Sequence, residues 1–386
     1  MDLTGDPAGP PLAPATSAAP TVDAALAPFG LDASVLAERA ASAGLARGGR
    51  ASCGRGSRLL QAADGWLALT LSRADDVASL PALLDAGFDG EPDGTGDAAP
   101  WERAARLVAA RPAAEVAARA EMLGMPCGVV AEPVAAPPLP RIAEAAPDHR
   151  RPPYVVDLSA LWAGPLATSC LRRVGATVVK VEDVRRPDGA RRGDPAFYDL
   201  LNGGKLSVAL DLGTAGGRRA LASLVDRADI VVTSARARAV EALGLDPEAA
   251  LAGAGDKVWV AITAHGWGSS RVGFGDDVAA AAGLVAWHPD GEPRFAADAI
   301  ADPLAGALAA HAALAAWQQG GRHFVDASLA AAAHAVAPPA GEPARPAEPG
   351  WSIDGEPVAS PRPRPADRPA AALGADTDAV LAAVSA

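Results

Sequence analysis

The stretch YVVDLSALWAGPLATSCLRRVGATVVKVE (154–182) decides the fold. Two short apolar runs, YVVDLS and TVVKVE, flank a helical segment, and neither run alternates between apolar and polar residues. Near-continuous apolar strands separated by helices belong to a parallel sheet covered on both faces. The same beat recurs in SVALDL (207–212), DIVVTS (229–234), VWVAITA (258–264) and HFVDASL (323–329). The clearest intervening helix is TAGGRRALASLVDRA (214–228), with Thr214 as its N-cap. The expected fold class is therefore α/β: a Rossmann-like parallel sheet with helices on both faces, plus a smaller α/β domain. Ligands on such sheets bind at the carboxyl ends of the strands, here the loops after Ser159, Glu182, Ser234 and Ala264.

Outward from this core, residues 1–21 are rich in Ala, Pro, Gly and Thr and read as a disordered tail without the basic and apolar regions of a signal peptide. Residues 22–134 read as a small α/β domain. It has helical spacing at 31–45, a loop at 47–57 and a hairpin at Asp64-Gly65 between RLLQAAD and WLALTL. Helices around 101–110 and 113–123 and a strand near 127–130 complete it. A proline-rich linker is expected at 135–153, followed by the large domain at 154–337. Residues 338–386 read as an extended segment ending in the helix DTDAVLAAVSA, capped by Asp376 or Thr377.

Half of the 386 residues are apolar, 21% are charged and the net charge is -12, the profile of a soluble globular chain. The only lysines are Lys180, Lys205 and Lys257, and no basic block can follow a phosphate backbone, so nucleic acid is not an expected partner. No run of 18 apolar residues predicts a membrane span. Cys53, Cys127 and Cys170 are too scattered for a disulfide framework or zinc site and fit buried thiols in a reducing cytoplasm. The histidines show no metal-ligand pair on one helix face, so no metal is expected. The P-loop, G-x-S-x-G and H-E-x-x-H patterns are absent. Glu182 would suit a ribose, but LWAGPLATS (161–169) lacks the G-x-G-x-x-G of a dinucleotide site.

Seven fragments stand in order: 155–182, LLNGGKLSVALDLGTAGGRRALASLVDRADIVV (200–232), EALGLD (241–246), VWVAITAHGWG (258–268), DDVAAAAGLV (276–285), ADPLAGALAAHAALAAW (301–317) and FVDASL (324–329). Together they resemble the class III CoA-transferases. The resemblance implies CoA as a substrate with no separate cofactor, acyl-CoA and a carboxylic acid as partners, and a homodimer. It places Ala163, Gly164 and Pro165 against CoA, at a helix N-terminus whose amides suit an anion. Asn202 and Lys205 match the N-x-x-K segment, with Lys205 facing CoA phosphates.

The resemblance also implies that Asp302, in the A-D-x-x-x-G context completed by Gly306, is the nucleophile. It would attack the acyl-CoA thioester to give a mixed anhydride, after which the CoA thiolate returns. The helix start is expected to keep Asp302 ionised, and Asp298 is its nearest competitor. Departures from the pattern concern cations. Thr233, Ser234 and Ala235 replace E-N-F, Ala242 stands where an arginine is common, and Leu206 replaces a cation. Arg236 and Arg238, on the loop with Ser234, are the expected compensating contacts to CoA.

The small domain, which follows the V-D-x-S-L strand in the family, is expected in front here, a rearranged domain order, with AALGADTDAVL (371–381) matching the family's tail. The leading function is CoA transfer from an acyl-CoA to a carboxylic acid through an aspartyl intermediate. One alternative is a degenerate member acting as dimer partner or CoA-binding regulator. The other is an acyl-CoA racemase or epimerase, with Asp276 at the position of that branch's histidine.

Overall fold

Val155, Val156, Val178, Val179, Val231 and Val232 are almost completely buried, as β-branched residues are in a sheet covered on both sides. They belong to six parallel strands: β1 (Tyr154–Leu158), β2 (Thr177–Asp183), β3 (Leu206–Leu210), β4 (Ile230–Thr233), β5 (Lys257–Thr263) and β6 (Arg322–Ser328). Val156 pairs with Val179 on one side and Val231 on the other. The spatial order is β3-β2-β1-β4-β5-β6, the doubly wound arrangement whose order reverses between β1 and β4. The structure is a computed structural model that describes residues 2–83, 99–135, 151–353 and 355–385. Most of the expected 135–153 linker lies outside the described residues.

One face of the sheet is covered by the helices Ala163–Arg173 and Ala301–Gln319, through Leu166, Leu171, Leu304 and neighbouring alanines. The other is covered by Leu221, Leu224 and Val225 of the Ala215–Arg227 helix, with Val380 of the Thr377–Ser385 helix. Thr214 caps the former, accepting from the Gly217 amide at 3.0 Å. Asp376 and Thr377 do more than start the terminal helix. Their side chains accept from the Ser207 and Ala209 amides of β3 at 2.8 and 3.0 Å, so they satisfy donors that an edge strand leaves open.

The Ala301–Gln319 helix is apolar all round, as a helix buried in the core must be. Its small residues let it approach the Ala163–Arg173 helix closely; Gly306 lies against the backbone of Ala163.

The hairpin expected at Asp64-Gly65 joins Ser57–Gln61 to Trp66–Thr70, and Cys127–Val129 adds a third antiparallel strand. One face of this small sheet shares a core with the helices Ala74–Leu83, Ala99–Val108 and Ala113–Leu123. The other packs Leu59 and Ala68 against Ala280, Val285 and Phe295 of the large unit.

The N-terminus differs from expectation. Leu12–Ala13 pairs antiparallel with Arg345–Pro346, and Leu3 and Leu12 are buried, so residues 2–21 are not a loose tail. The helix Ala18–Leu26 places Val22 and Leu26 in the same core as the Ala301–Gln319 helix. Well-spaced apolar residues hidden in an Ala/Pro-rich stretch account for this. Residues 22–36 consequently pack with the parallel sheet's helical layer, and the small sheet starts at Ser57. Among the described residues no helix is long and apolar enough to cross a membrane.

Candidate active site

The strand order reverses between β1 and β4, and their loops are tied together there: the Ala160 amide donates to the Ser234 hydroxyl at 3.0 Å. Leu161 takes a left-handed φ of 68° and is exposed, turning the chain into the helix that starts at Ala163. Ala163, Gly164 and Pro165 are buried in that helix's first turn rather than lying in an open loop. A side chain at Gly164 would overlap Ser159.

Lys205 does not face solvent or a ligand. It is buried, and its ammonium donates to Asp157 (3.0 Å), the Pro165 carbonyl (2.9 Å), Thr168 (2.8 Å) and Asn202 (3.0 Å). With its donors fully used on protein acceptors, it holds β1, β3 and the first turn after β1 together. Burial would raise the Asp157 pKa, but Lys205 and Lys180 hold it well below the usual range. Lys205 itself is pushed down to about 8 by burial, against the pull of Asp157. Lys180 pairs with Asp188 at 2.9 Å. Glu182 is likewise occupied, by Arg191 and the Asp188 amide, so it is not free for a ribose.

The exposed cations sit elsewhere. Arg236 and Arg238 follow Ser234 after β4 and are exposed; Arg236 ends the loop as the N-cap of the helix Ala237–Ala242, and Arg238 lies in that helix rather than on the loop. Burial first, then the neighbouring charges of Arg238 and Arg73, lower the Arg236 pKa. Arg73 comes from the small unit, just after its second strand, and stacks 5.9 Å from the Phe274 ring centroid. Nothing in its sequence context singled it out.

Phe274 leads into the helix Gly275–Ala281, and Gly275 is where Asp302 is found. The Asp302 carboxylate sits directly against Gly275. The structure thus brings Asp302, the second residue of its helix, near the turn containing Ala163, through the Gly306–Ala163 contact one turn on. The helix start does not keep Asp302 acidic as expected. Burial pushes its pKa up to about 7, opposed by Arg39 and reinforced by Asp276 and Asp298; desolvation outweighs the amide and dipole.

The surrounding carboxylates have assigned partners. Asp298 is fully buried and held by the Arg39 fork, so its carboxyl group is committed to that pairing. Asp276 accepts from the Ala299 amide at 2.9 Å and from Ser57 at 3.3 Å, and burial and Asp298 raise its pKa. Asp277 accepts from Thr70 and the Phe274 amide, and burial pushes it up to about 7. Arg39 had no signal in the sequence, since it reads as an ordinary polar position on a short helix.

At the far end of the Gly275–Ala281 helix, Ala281 and Ala282 line a cavity of about 460 Å³ beside the carboxyl ends of β5 and β6, with His265, Trp267, Arg271 and Asp326. Burial and Arg271 push the His265 imidazole down to about 3, so it is neutral, and its Nε2 has no hydrogen-bond partner among the described residues.

A family model for CoA-transferase family III matches residues 154–347, half of the chain. The chain belongs to CoA-transferase family III. Among family members, it is 34% identical over 164 residues to succinyl-CoA:mesaconate CoA-transferase of Haloarcula hispanica, covering 40% of this chain and 37% of that protein. It is 34% identical over 175 residues to a probable fatty acyl-CoA transferase of Mycobacterium tuberculosis, covering 42% and 44%. A crystal structure of a hypothetical protein from that organism aligns with a TM-score of 0.44 at 31% identity, covering 47% of this chain and 55% of the other. The chain thus spans less than half the length of these two curated relatives.

Proposed function

We propose that this family III member moves CoA from an acyl-CoA thioester to a carboxylic acid, with Asp302 as the covalent nucleophile. The observation that carries the reading is the seat of Asp302, at the start of a buried helix, against Gly275 and near the strand-order reversal. A carboxylate oxygen of Asp302 bonds to the thioester carbonyl carbon, the C–S bond breaks, and CoA leaves as the thiolate. The thiolate returns to the Asp302 acyl carbon and expels the first acid as a carboxylate. The acceptor acid then runs the same steps in reverse and leaves with CoA, restoring Asp302. An amide donor such as that of Gly275 can hold developing negative charge.

Arg236, Arg238 and Ser234 are the CoA-facing groups in this reading; Arg73, from the small unit, is held by Asp76 and the Gly124 carbonyl. Exposed, near the strand-order reversal and without a carboxylate partner among the described residues, Arg236 and Arg238 suit the phosphates of CoA. The turn at Ala163–Pro165 backs the site from inside.

The test is mass spectrometry after incubation with a panel of acyl-CoA donors and carboxylate acceptors, followed by hydroxylamine. The wild-type chain should transfer CoA and carry a hydroxamate on the peptide containing Asp302, and Asp302→Ala should do neither. Transfer by the variant at the wild-type rate would refute the mechanism. The raised pKa of Asp276, close enough to act on Asp302, favours a second reading in which the two carboxylates share a proton and racemise the acyl α-carbon. Solvent deuterium entering that carbon without an acceptor would select it.

A further inference from the structure

The loop that delivers Asp302 is held largely from outside the family-matching region. Ala297 and Ala299 have φ values of 54° and 43°, a left-handed conformation that costs a non-glycine residue about 1 kcal/mol or more. Neighbours must therefore impose it. The Ala297 amide donates to Thr4 at 2.9 Å, and its carbonyl accepts from the Cys53 thiol at 3.3 Å. The Ala299 amide donates to Asp276. Between them, buried Asp298 takes the Arg39 guanidinium in a two-pronged pair, with Nε at 2.9 Å. Arg39 is fixed in turn by stacking 5.3 Å from the Trp162 ring centroid. The Ala299 carbonyl accepts from the Asp302 amide at 2.9 Å, so the loop's shape passes directly to the first turn of the helix.

Resting on the reading of Asp302 as nucleophile, we propose that Arg39 is a positioning residue: its clamp on Asp298 holds the 297–299 loop in the left-handed form and sets where the Asp302 carboxylate sits. Thr4, Arg39 and Cys53 all lie outside residues 154–347, so the N-terminal segment completes the site. The clamp also sets the local field. Around Asp302 stand Arg39 from the N-terminal segment, Asp298 from the loop, and Asp276 and Gly275 from the adjoining helix, and among these groups Arg39 is the positive one. The Cys53 thiol, pushed up to about 12 by burial and then by Asp298 and Asp276, stays neutral.

The experiment is a carboxyl carbon-13 NMR titration of the full chain, with Asp302→Asn assigning the resonance, alongside steady-state kinetics. Arg39→Ala should raise the Asp302 pKa by about one unit or more. Asp298→Asn should lower it, because a negative neighbour is lost. Both should reduce kcat about tenfold or more with KM nearly unchanged, and Arg39→Lys should recover part of the loss. Circular dichroism reports folding. If Arg39→Ala does not fold, Asp298→Asn and Arg39→Lys decide the matter. A folded variant with unchanged Asp302 titration and kcat overturns the clamp. Opposite pKa shifts in a chain that transfers no CoA leave the clamp standing and remove the transferase reading. An Asp302 adduct with unshifted titration does the reverse.

Discussion

Gly306 and Ala163 meet so closely that a Cβ added to Gly306 would lie 2.6 Å from the Ala163 carbonyl oxygen. The two positions belong to separate motifs, one around the nucleophile candidate and one after β1, and their backbones are in direct contact. The glycine of A-D-x-x-x-G is thus required by helix packing. It fixes how far the Asp302 helix stands from the turn at Ala163.

Gly306→Ala is expected to cost about 1–3 kcal/mol, because the overlap is with backbone and cannot be relieved by rotating a side chain. Thermal unfolding should show a Tm lowered by several degrees. An unchanged Tm would mean that the two helices can separate without loss.

Lys205→Met should be strongly destabilising, by about 3–5 kcal/mol, since it leaves Asp157 buried without its main counter-charge. Urea denaturation measures this directly. A stable variant with weakened CoA binding would return Lys205 to the ligand site.

Arg236→Ala and Arg238→Ala should leave the unfolding curve unchanged and weaken CoA binding several-fold each. Calorimetry at low and high salt should show a smaller salt dependence than in the wild type, because exposed phosphate contacts are screened. Binding that is tight and independent of salt in all three chains would place the phosphates elsewhere.

Burial raises the pKa of both Asp302 and Asp277 to about 7, so the folded chain keeps protons that the unfolded chain releases near pH 4. Their contribution to stability is present below about pH 4 and is lost as pH rises through 7. Asp302→Asn should therefore have a higher Tm than wild type at pH 8 and nearly the same Tm at pH 4. A constant difference across that range would show that Asp302 is not desolvated.

The parallel sheet was legible because its strands are near-continuous runs of β-branched residues, and each of the six expected runs forms one strand. The hairpin at Asp64-Gly65 and the Thr214 cap were legible for the same local reasons. Asp302 could be named from its motif, but its environment could not, because Arg39, Asp276 and Asp298 approach it from three separate stretches. Lys205 was misread since a lysine in sequence carries no mark of burial; only the fold shows Asp157, Thr168, Asn202 and Pro165 converging on it. Leu3 and Leu12 were hidden by a composition that resembles a loose tail, and Val22 and Leu26 were assigned to the small domain although they pack in the core of the parallel-sheet unit.

The contacts that shape the loop before Asp302 join partners far apart in the chain, with Thr4 and Ala297 separated by 293 residues and Arg39 and Asp298 by 259. Closing loops of that length carries a large entropic cost, and such contacts are favoured only once the intervening chain is already compact. The sheet can form from short βαβ units, each built from neighbouring sequence. The geometry around Asp302 cannot, so a nascent or refolding chain is expected to acquire its sheet before the loop that leads into Asp302 is in place.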